Sequence, residues 1–203
     1  QNGQYQPLEE EPLPTCKHPV TSKWVFRTKV STNNKTEKLK TRLVAREFQQ
    51  RLGTDYDKTF SPIVKCVTLR IVTALAAQKS WKLKHLDVNA AYLNGTIIKV
   101  VFMAQPHGFI EPAIYGLKQS GRAWYLDIDN FLQNIDLQWS KHDYNMYIKI
   151  IQINQYVILI LYTDTSMLTG NATEELNHLK ISLQTKYQIS ALGTLSLYIG
   201  LEL

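Results

Sequence analysis

The spacing of apolar and polar residues in the first part of the chain predicts an arm, a β-hairpin and a helix. Prolines at positions 7, 12, 14 and 19 exclude a helix from residues 1–22, which we interpret as a linker or loose arm. Two strand-like runs, Lys23 to Val30 and Glu37 to Phe48, flank small polar residues at 31–35 that suit a hairpin loop. Between Val67 and Lys79, apolar residues recur at the spacing of a helix.

The rest of the chain alternates between strand-like runs and amphipathic helices. The predicted strands are Trp81 to Val88, Ile97 to Met103, Asn145 to Ile153, Tyr156 to Tyr162, and about Leu195 to Leu203. The predicted helices are one with Ala123, Trp124, Ile128, Phe131 and Leu132 on one face, and one from Glu174 to Lys186. If Ile97 to Met103 is an insertion, the order from Trp81 onward is strand, helix, strand, strand, helix, strand. This order predicts an α+β fold, a ferredoxin-like or split βαβ sheet with helices on one face.

Two of the predicted strands each have an acidic residue at or just after their end. Asp87 lies at the end of the first strand, and Asp164 comes two residues after the strand that ends at Tyr162. In a split βαβ sheet we expect these two strands to be central neighbours, which would place the two carboxylates close together. Neighbouring carboxylates repel each other unless a divalent cation lies between them. The pair therefore suggests a Mg²⁺ site for phosphoryl transfer, and the alternative is two solvated residues at a sheet edge.

Composition and charge narrow the class of partner. The chain has 203 residues, of which 44% are hydrophobic, so it can bury one sizeable core. Its formal net charge of +6 fits a nucleic-acid partner, although such an excess also occurs on ordinary solvated surfaces. Cys16 and Cys66 are isolated, which argues against a disulfide framework or a zinc site. The sequence shows no long apolar span and no signal peptide, so we expect an intracellular protein, cytoplasmic or nuclear. Because the chain begins with Gln and its last residue lies within a strand-like run, we also expect it to be part of something longer.

Several short motifs occur in one order along residues 23–203. They are Lys40-Thr-Arg-Leu-Val-Ala-Arg-Glu-Phe48, Thr59-Phe-Ser-Pro62, Leu86-Asp-Val-Asn-Ala-Ala-Tyr-Leu-Asn-Gly95, Gln105-Pro-His-Gly-Phe109, Tyr115-Gly-Leu-Lys-Gln-Ser-Gly-Arg-Ala-Trp-Tyr125, Tyr162-Thr-Asp-Thr165, Leu168-Thr-Gly-Asn171, and Leu192-Gly with Tyr198-Ile-Gly-Leu-Glu202. Each motif alone is modest. Together they resemble the reverse transcriptase of copia-type LTR retrotransposons, the RNA-directed DNA polymerase region of the Pol polyprotein.

The resemblance implies a fold, partners and cofactors. It implies one reverse transcriptase domain over residues 23–203, with a fingers-like region at 23–80 and a palm with an interleaved fingers segment at 81–203. We expect no thumb within these residues. The implied partners are an RNA template, a DNA primer, their hybrid and deoxynucleoside triphosphates. The implied cofactor is Mg²⁺, with Mn²⁺ as an alternative, and the parent polyprotein would also hold ribonuclease H and integrase regions.

The resemblance also assigns roles to individual residues. Asp87 matches the first catalytic aspartate, and Asp164 matches the first acid of a Tyr-x-Asp-Asp turn, whose second acid is replaced here by Thr165. Tyr92 matches the aromatic residue that crowds a 2′-hydroxyl, and would otherwise be interpreted as a core aromatic. The nucleotide-binding residues implied by the fingers and helix motifs are Lys40, Arg42, Gln119 and Arg122. Without the resemblance, these four would be interpreted as surface charges and a helix cap.

Three differences from the family pattern bear on activity. Thr165 supplies a neutral hydroxyl in place of a carboxylate, the segment between Phe109 and Tyr115 is short, and Gly121 stands where proline is usual. We therefore expect metal-dependent nucleotidyl transfer that is weak or absent. Two alternatives stay open at this stage: a non-catalytic nucleic-acid-binding module, and a decayed fragment of a mobile element. Whether Glu202 replaces the lost acid is also open.

Overall fold

The computed structural model describes residues 12–15, 17–30, 36–104, 114–194, 197–198 and 201–202. The strands within them are β1 (Ser22–Val30), β2 (Thr36–Ala45), β3 (Lys84–Val88), β4 (Ile114–Tyr115), β5 (Gln138–Ser140), β6 (Asp143–Gln152), β7 (Gln155–Tyr162), β8 (Thr165–Gly170), β9 (Ile189–Thr194), β10 (Leu197–Tyr198) and β11 (Leu201–Glu202). The α-helices are α1 (Cys66–Gln78), α2 (Ala91–Asn94), α3 (Ser120–Asn134) and α4 (Thr173–Lys186). The mixture of helices and antiparallel sheets agrees with the predicted α+β class.

A six-stranded antiparallel sheet forms the larger part of the fold, with the order β5-β6-β7-β8-β3-β9. Helices α3 and α4 pack on one face, where Trp124, Ile128 and Leu183 are buried against the sheet. Helix α1 packs on the other face, against Ile158 and Ile160 of β7. The prediction of helices on one face is therefore correct for α3 and α4 but misses α1. Strand β7 is apolar on both faces because helices cover both of its sides.

The predicted order of strand, helix, strand, strand, helix, strand is found in β3, α3, β7, β8, α4 and β9. Some of these strands differ from the ones that were expected to form it. The direct neighbours of β3 are β8 and β9, and neither is the strand that ends at Tyr162. Strands β5 and β6 extend the sheet beyond β7. Strand β8 is not among the strands predicted from the sequence. The final strand is also earlier than predicted, because β9 pairs with β3 whereas β10 and β11 pair only with each other.

A separate three-stranded sheet has the order β1-β2-β4. The predicted hairpin is confirmed, although β2 ends at Ala45 and the chain then forms a 3₁₀ turn at Glu47–Gln49. The predicted strand from Ile97 to Met103 is wrong. That segment makes only an isolated bridge to Val20, a buried residue within the predicted arm, and so lacks the continuous partner that a strand requires.

Several predictions fall on residues outside those that the structure describes. They include most of the arm, Cys16, the hairpin loop at 31–35 and the shortened segment at 109–113. Among the helices that the structure describes, none is long and apolar enough to cross a bilayer.

Candidate active site

The turn between β7 and β8 is a tight hairpin connection made by Thr163 and Asp164. Thr163 has a positive φ of 52°, which is unfavourable for a β-branched residue and marks a strained position. Its hydroxyl donates to Oδ1 of Asp164 at 2.9 Å, and the hydroxyl of Thr165 donates to the carbonyl of Tyr162 at 3.1 Å. The turn therefore holds an exposed carboxylate at the tip of the hairpin.

Strand β3 brings Asp87 to this turn. Asp87 lies opposite Thr165 of β8, and the amide N–H of Val88 donates to the carbonyl of Asp164 at 2.8 Å. On its other side, Asp87 lies opposite Ser190 of β9. Asp87 is half-buried, whereas Asp164 is exposed. The predicted proximity of the two acids is thus found at the level of the backbone, although it arises from the β3–β8 pairing.

Tyr92 lies beside the same turn on the short helix α2. The left-handed conformation of Ala90, with φ of 53°, turns the chain sharply after β3 and begins the helix. The pKa of the Tyr92 phenol is raised above its usual range, first by burial, then by the negative charge of Asp164 and by Tyr162. Tyr92 and Thr163 also line one cavity, so Tyr92 lies beside the turn.

Close backbone packing fixes α2 against α3. A Cβ atom on Gly95, the residue after α2, would lie 2.4 Å from the backbone nitrogen of Trp124. The indole N–H of Trp124 in turn donates to the carbonyl of Thr163 at 2.7 Å. Helix α3 therefore contacts both α2 and the acidic turn.

Gln119 and Arg122 lie at the start of α3, but they face the loop that precedes α1. The buried Gln119 amide accepts a hydrogen bond from Nε2 of Gln50 at 3.0 Å and donates to the carbonyl of Asp55 at 3.3 Å. Arg122 donates through Nη1 to the carbonyl of Phe60 at 3.1 Å. Both side chains thus tie the loop at 50–60 to the helix.

The two basic residues of the hairpin motif belong to the smaller sheet. Arg42 of β2 is half-buried and lies opposite Val25. Lys40 lies opposite Arg27, and its side chain falls outside the described part of the structure. The structure therefore groups Asp87, Asp164, Thr165 and Tyr92 around one turn, whereas Lys40 and Arg42 occupy a different sheet.

The pair of carboxylates suits Mg²⁺ but does not form a complete cage. No group of three or more His, Cys, Asp or Glu side chains within the described residues could hold a metal ion. Mg²⁺ is commonly held by one or two protein carboxylates together with substrate phosphates, so Asp87 and Asp164 fit such a partial site. At position 165, which the resemblance matches to a further acid, the Thr165 hydroxyl bonds to the backbone carbonyl of Tyr162.

The sequence profile described as "Reverse transcriptase (RNA-dependent DNA polymerase)" matches residues 10–203. The chain belongs to this family. It is similar to the Retrovirus-related Pol polyproteins from transposons RE2 and RE1 of Arabidopsis thaliana, each 34% identical over 90% of this chain and 13% of the relative. It is also similar to that from transposon TNT 1-94 of Nicotiana tabacum, 32% identical over 100% of this chain and 16% of the relative. No solved structure matches the chain.

These relatives confirm the predicted copia-type reverse transcriptase, and this chain spans about 13–16% of their length. Sequence reasoning missed three residues that support the site of this reverse transcriptase domain: Thr163, Gln50 and Asn145. The positive φ of Thr163 has no sequence signal, and the bond between Gln50 and Gln119 joins residues 69 positions apart. Asn145 was assigned only to a strand, because its burial depends on the helix packed over it.

Proposed function

We propose that this reverse transcriptase domain performs RNA-templated DNA synthesis, with Asp87 and Asp164 as its metal ligands and with a rate reduced by Thr165. The observation that carries the proposal is the β3–β8 register, which sets Asp87 opposite Thr165 and bonds Val88 to the Asp164 carbonyl. In this proposal the six-stranded sheet with its helices is the palm, and the β1–β2 hairpin belongs to the fingers.

Asp87 and Asp164 would hold Mg²⁺ together with the phosphates of the incoming nucleotide. Such a metal would supply charge stabilisation to the phosphoryl group while the primer 3′-hydroxyl attacks the α-phosphate and pyrophosphate leaves. Asp87 lies on a strand that pairs on both sides, which fixes the position of its backbone. Asp164 lies on the tight turn, oriented by the Thr163 hydroxyl.

Thr165 lowers the negative charge at this site by one. A neutral hydroxyl is a weaker metal ligand than a carboxylate and offsets no cationic charge. Because the hydroxyl of Thr165 also bonds to the Tyr162 carbonyl, it is already oriented toward the backbone. We therefore assign this domain a lower metal affinity and a slower reaction than a domain with two adjacent aspartates in the turn.

The nucleotide would lie against Tyr92, whose ring limits the space beside the sugar and so favours deoxynucleotides. Arg122 has five N–H donors in its guanidinium group, of which the bond to Phe60 uses one, so others can bind phosphate. Gln119 would contribute by holding the start of α3 against the loop, since both ends of its amide are bonded. Lys40 and Arg42 would contact the triphosphate if the hairpin sheet lies over the nucleotide.

Primer extension on an RNA template with Mg²⁺ tests the proposal. We expect slow incorporation of deoxynucleotides by the parent chain and none by Asp87→Asn. The matched control is Asp136→Asn, which makes the same chemical change at a side chain that is 86% exposed. It also keeps a residue type that tolerates the positive φ of 66° at that position. Equal extension by the parent chain and Asp87→Asn would refute the proposal.

The same samples discriminate between catalysis and binding alone. A non-catalytic nucleic-acid-binding module would bind an RNA–DNA hybrid with steep salt dependence, and Asp87→Asn would not weaken that binding. Hybrid binding without extension, even by Thr165→Asp, would therefore favour the binding module over the polymerase.

A further inference from the structure

A small, partly open cavity lies beside the acidic turn. Its volume is about 120 Å³, and its walls come from the loop before α1, from α2, α3, β6 and β7. The residues that matter for the argument are Tyr92, Trp124, Tyr125, Asn145 and Thr163. The cavity thus adjoins both the aromatic residue proposed to limit the sugar and the residue that orients Asp164.

Asn145 is the unusual feature of this cavity. Its exposed fraction is 0%, and neither Nδ2 nor Oδ1 of its side chain has a hydrogen-bond partner within the described residues. Its backbone N–H donates to Oδ1 of Asp143 at 3.1 Å. Buried polar side chains in folded proteins are nearly always bonded to protein or to ordered water. An Asn amide has two N–H donors and an acceptor oxygen, so the cavity wall contains several hydrogen-bonding groups that need polar partners.

The cavity can supply those partners as water. A bound water occupies about 30 Å³ of liquid volume and needs two to four polar neighbours, so several waters fit here. The hydroxyl of Thr163 donates to Asp164, and that of Tyr125 donates to the carbonyl of Tyr144 at 3.4 Å. Both hydroxyl oxygens still have lone pairs that can accept from water. A compact cavity of this volume is about 6 Å across, which one or two waters can bridge.

Helix α2, which carries Tyr92, has few stabilising interactions of its own. Helix α2 has only four residues, and no side chain caps its N-terminus. Its last residue, Asn94, bonds back to the carbonyls of Ala90 and Ala91 at 3.3 Å. The half-buried Tyr92 therefore depends for its position mainly on packing against the core residues around it, which include Trp124 of α3, rather than on the short helix.

We propose that ordered water in this cavity links the Asn145 amide to Tyr92 and the turn, and that Asn145 is a positioning residue for Tyr92. The specificity part of this inference rests on the proposed function, in which Tyr92 discriminates deoxynucleotides from ribonucleotides. The hydration part does not, because it concerns only the amide and the cavity.

The test compares Asn145→Leu, which keeps the approximate size but removes both polar atoms, with Asn145→Ser, which keeps a group that binds water. Met146→Leu is the control, since Met146 lies on the same strand but packs in the other core cluster. Three quantities are measured: water NOEs to the Asn145 side-chain amide, the NMR signals of the Tyr92 ring, and the melting temperature. The ratio of kcat/KM for deoxynucleotides to that for ribonucleotides is measured in the Thr165→Asp background.

We expect long-lived water NOEs at the Asn145 amide and a shifted Tyr92 ring in Asn145→Leu but not in Met146→Leu. The nucleotide ratio should fall about fivefold in Asn145→Leu, the factor that one ordinary hydrogen bond represents, and recover in part in Asn145→Ser. A higher melting temperature for Asn145→Leu without water NOEs would overturn the proposal, because it would show a dry, unpaired amide.

The outcomes separate this inference from the proposed function. If no variant extends a primer, the polymerase proposal fails, and the water NOEs and the Tyr92 signals still decide the hydration and positioning claims. If the chain is active, water NOEs with an unchanged nucleotide ratio would overturn the positioning role.

Discussion

Restoring an acid at position 165 should make the stability of the fold depend on Mg²⁺. Thr165 lies directly opposite Asp87 in the β3–β8 pair and is adjacent in sequence to Asp164. The Cβ atoms of opposed residues in antiparallel strands are about 4.5–5.5 Å apart, so a third carboxylate would lie about 6 Å from its neighbours. At an effective dielectric constant between about 20 and 80, each repulsion at that distance amounts to roughly 0.7–3 kcal/mol.

Without metal, Thr165→Asp should therefore be less stable than the parent chain. Because the site is partly solvated, we expect a total loss of about 1–3 kcal/mol, which includes the lost bond from Thr165 to the Tyr162 carbonyl. In a chain of this length that loss lowers the melting temperature by roughly 2–12 °C. Excess Mg²⁺ should recover most of it, since a ligand that binds only the folded state stabilises that state.

The assay is thermal unfolding with EDTA and then with excess Mg²⁺. Asn154→Asp is the matched control because it also adds a carboxylate to a hairpin turn, and Asn154 is exposed with a positive φ of 66° that aspartate tolerates. That control should change little and should not respond to Mg²⁺. Equal melting temperatures of Thr165→Asp with EDTA and with Mg²⁺ would refute the idea that position 165 faces a metal site.

Three further predictions concern the packing around the site. Gly95→Ala should destabilise the fold by about 1–3 kcal/mol, because the new methyl group would lie 2.4 Å from a backbone atom of α3 that cannot move aside. Trp124→Phe should lower the free energy of unfolding by about 1–3 kcal/mol, because it removes the 2.7 Å hydrogen bond to the Thr163 carbonyl and leaves that carbonyl unpaired. Urea unfolding measures the effects of the Gly95 and Trp124 substitutions. Burial, followed by a hydrogen bond to a carboxylate, raises the pKa of Tyr187 well above its usual range. The Tyr187 phenol should contribute its full stabilisation below about pH 10, and that contribution should decline at higher pH because the phenol then ionises only in the unfolded chain. Tyr187→Phe should therefore flatten the decline of the unfolding free energy with rising pH.

Each of these predictions has a control. Gly121→Ala should stabilise the fold by about 0.5–1 kcal/mol, because a Cβ there meets only ordinary contacts at 3.9 Å and alanine favours a helix. Equal effects of alanine at the two glycines would contradict the packing argument. For Trp124, the comparison is Trp139→Phe on an exposed edge strand, which should be nearly neutral. An alkaline decline that is unchanged in Tyr187→Phe would contradict the argument for Tyr187.

The parts of the fold with local signals could be predicted from the sequence. Helices α1, α3 and α4 have the periodicity that predicts them, and the hairpin of β1 and β2 has a polar loop between two strand-like runs. The proximity of Asp87 and Asp164 also followed from the order of elements. The predicted neighbour of β3 was β7, whereas the observed neighbours are β8 and β9. The two acids are still close in the fold, because the tight turn keeps Asp164 within two residues of both β7 and β8.

The remaining features depend on contacts between distant segments. The predicted strand at Ile97 to Met103 has residues typical of a strand, but among the described residues its one β-bridge is to Val20. Gln119 was matched to a nucleotide contact, yet its amide bonds to Gln50 and to the Asp55 carbonyl across the fold. The buried Asn145 amide likewise has no signal in the alternation of β6, because a polar residue in a strand ordinarily predicts an exposed position.

The most direct test of a metal-dependent polymerase centre at this turn is single-nucleotide extension by Thr165→Asp and by the double variant Asp87→Asn with Thr165→Asp. The RNA template, DNA primer and Mg²⁺ are the same in both reactions. We predict that Thr165→Asp extends the primer about a hundredfold faster than the parent chain, as expected when charge stabilisation of a transition state is restored, and that the double variant does not extend it. Extension by the double variant at the rate of Thr165→Asp would contradict the assignment of Asp87 and the turn to one active site.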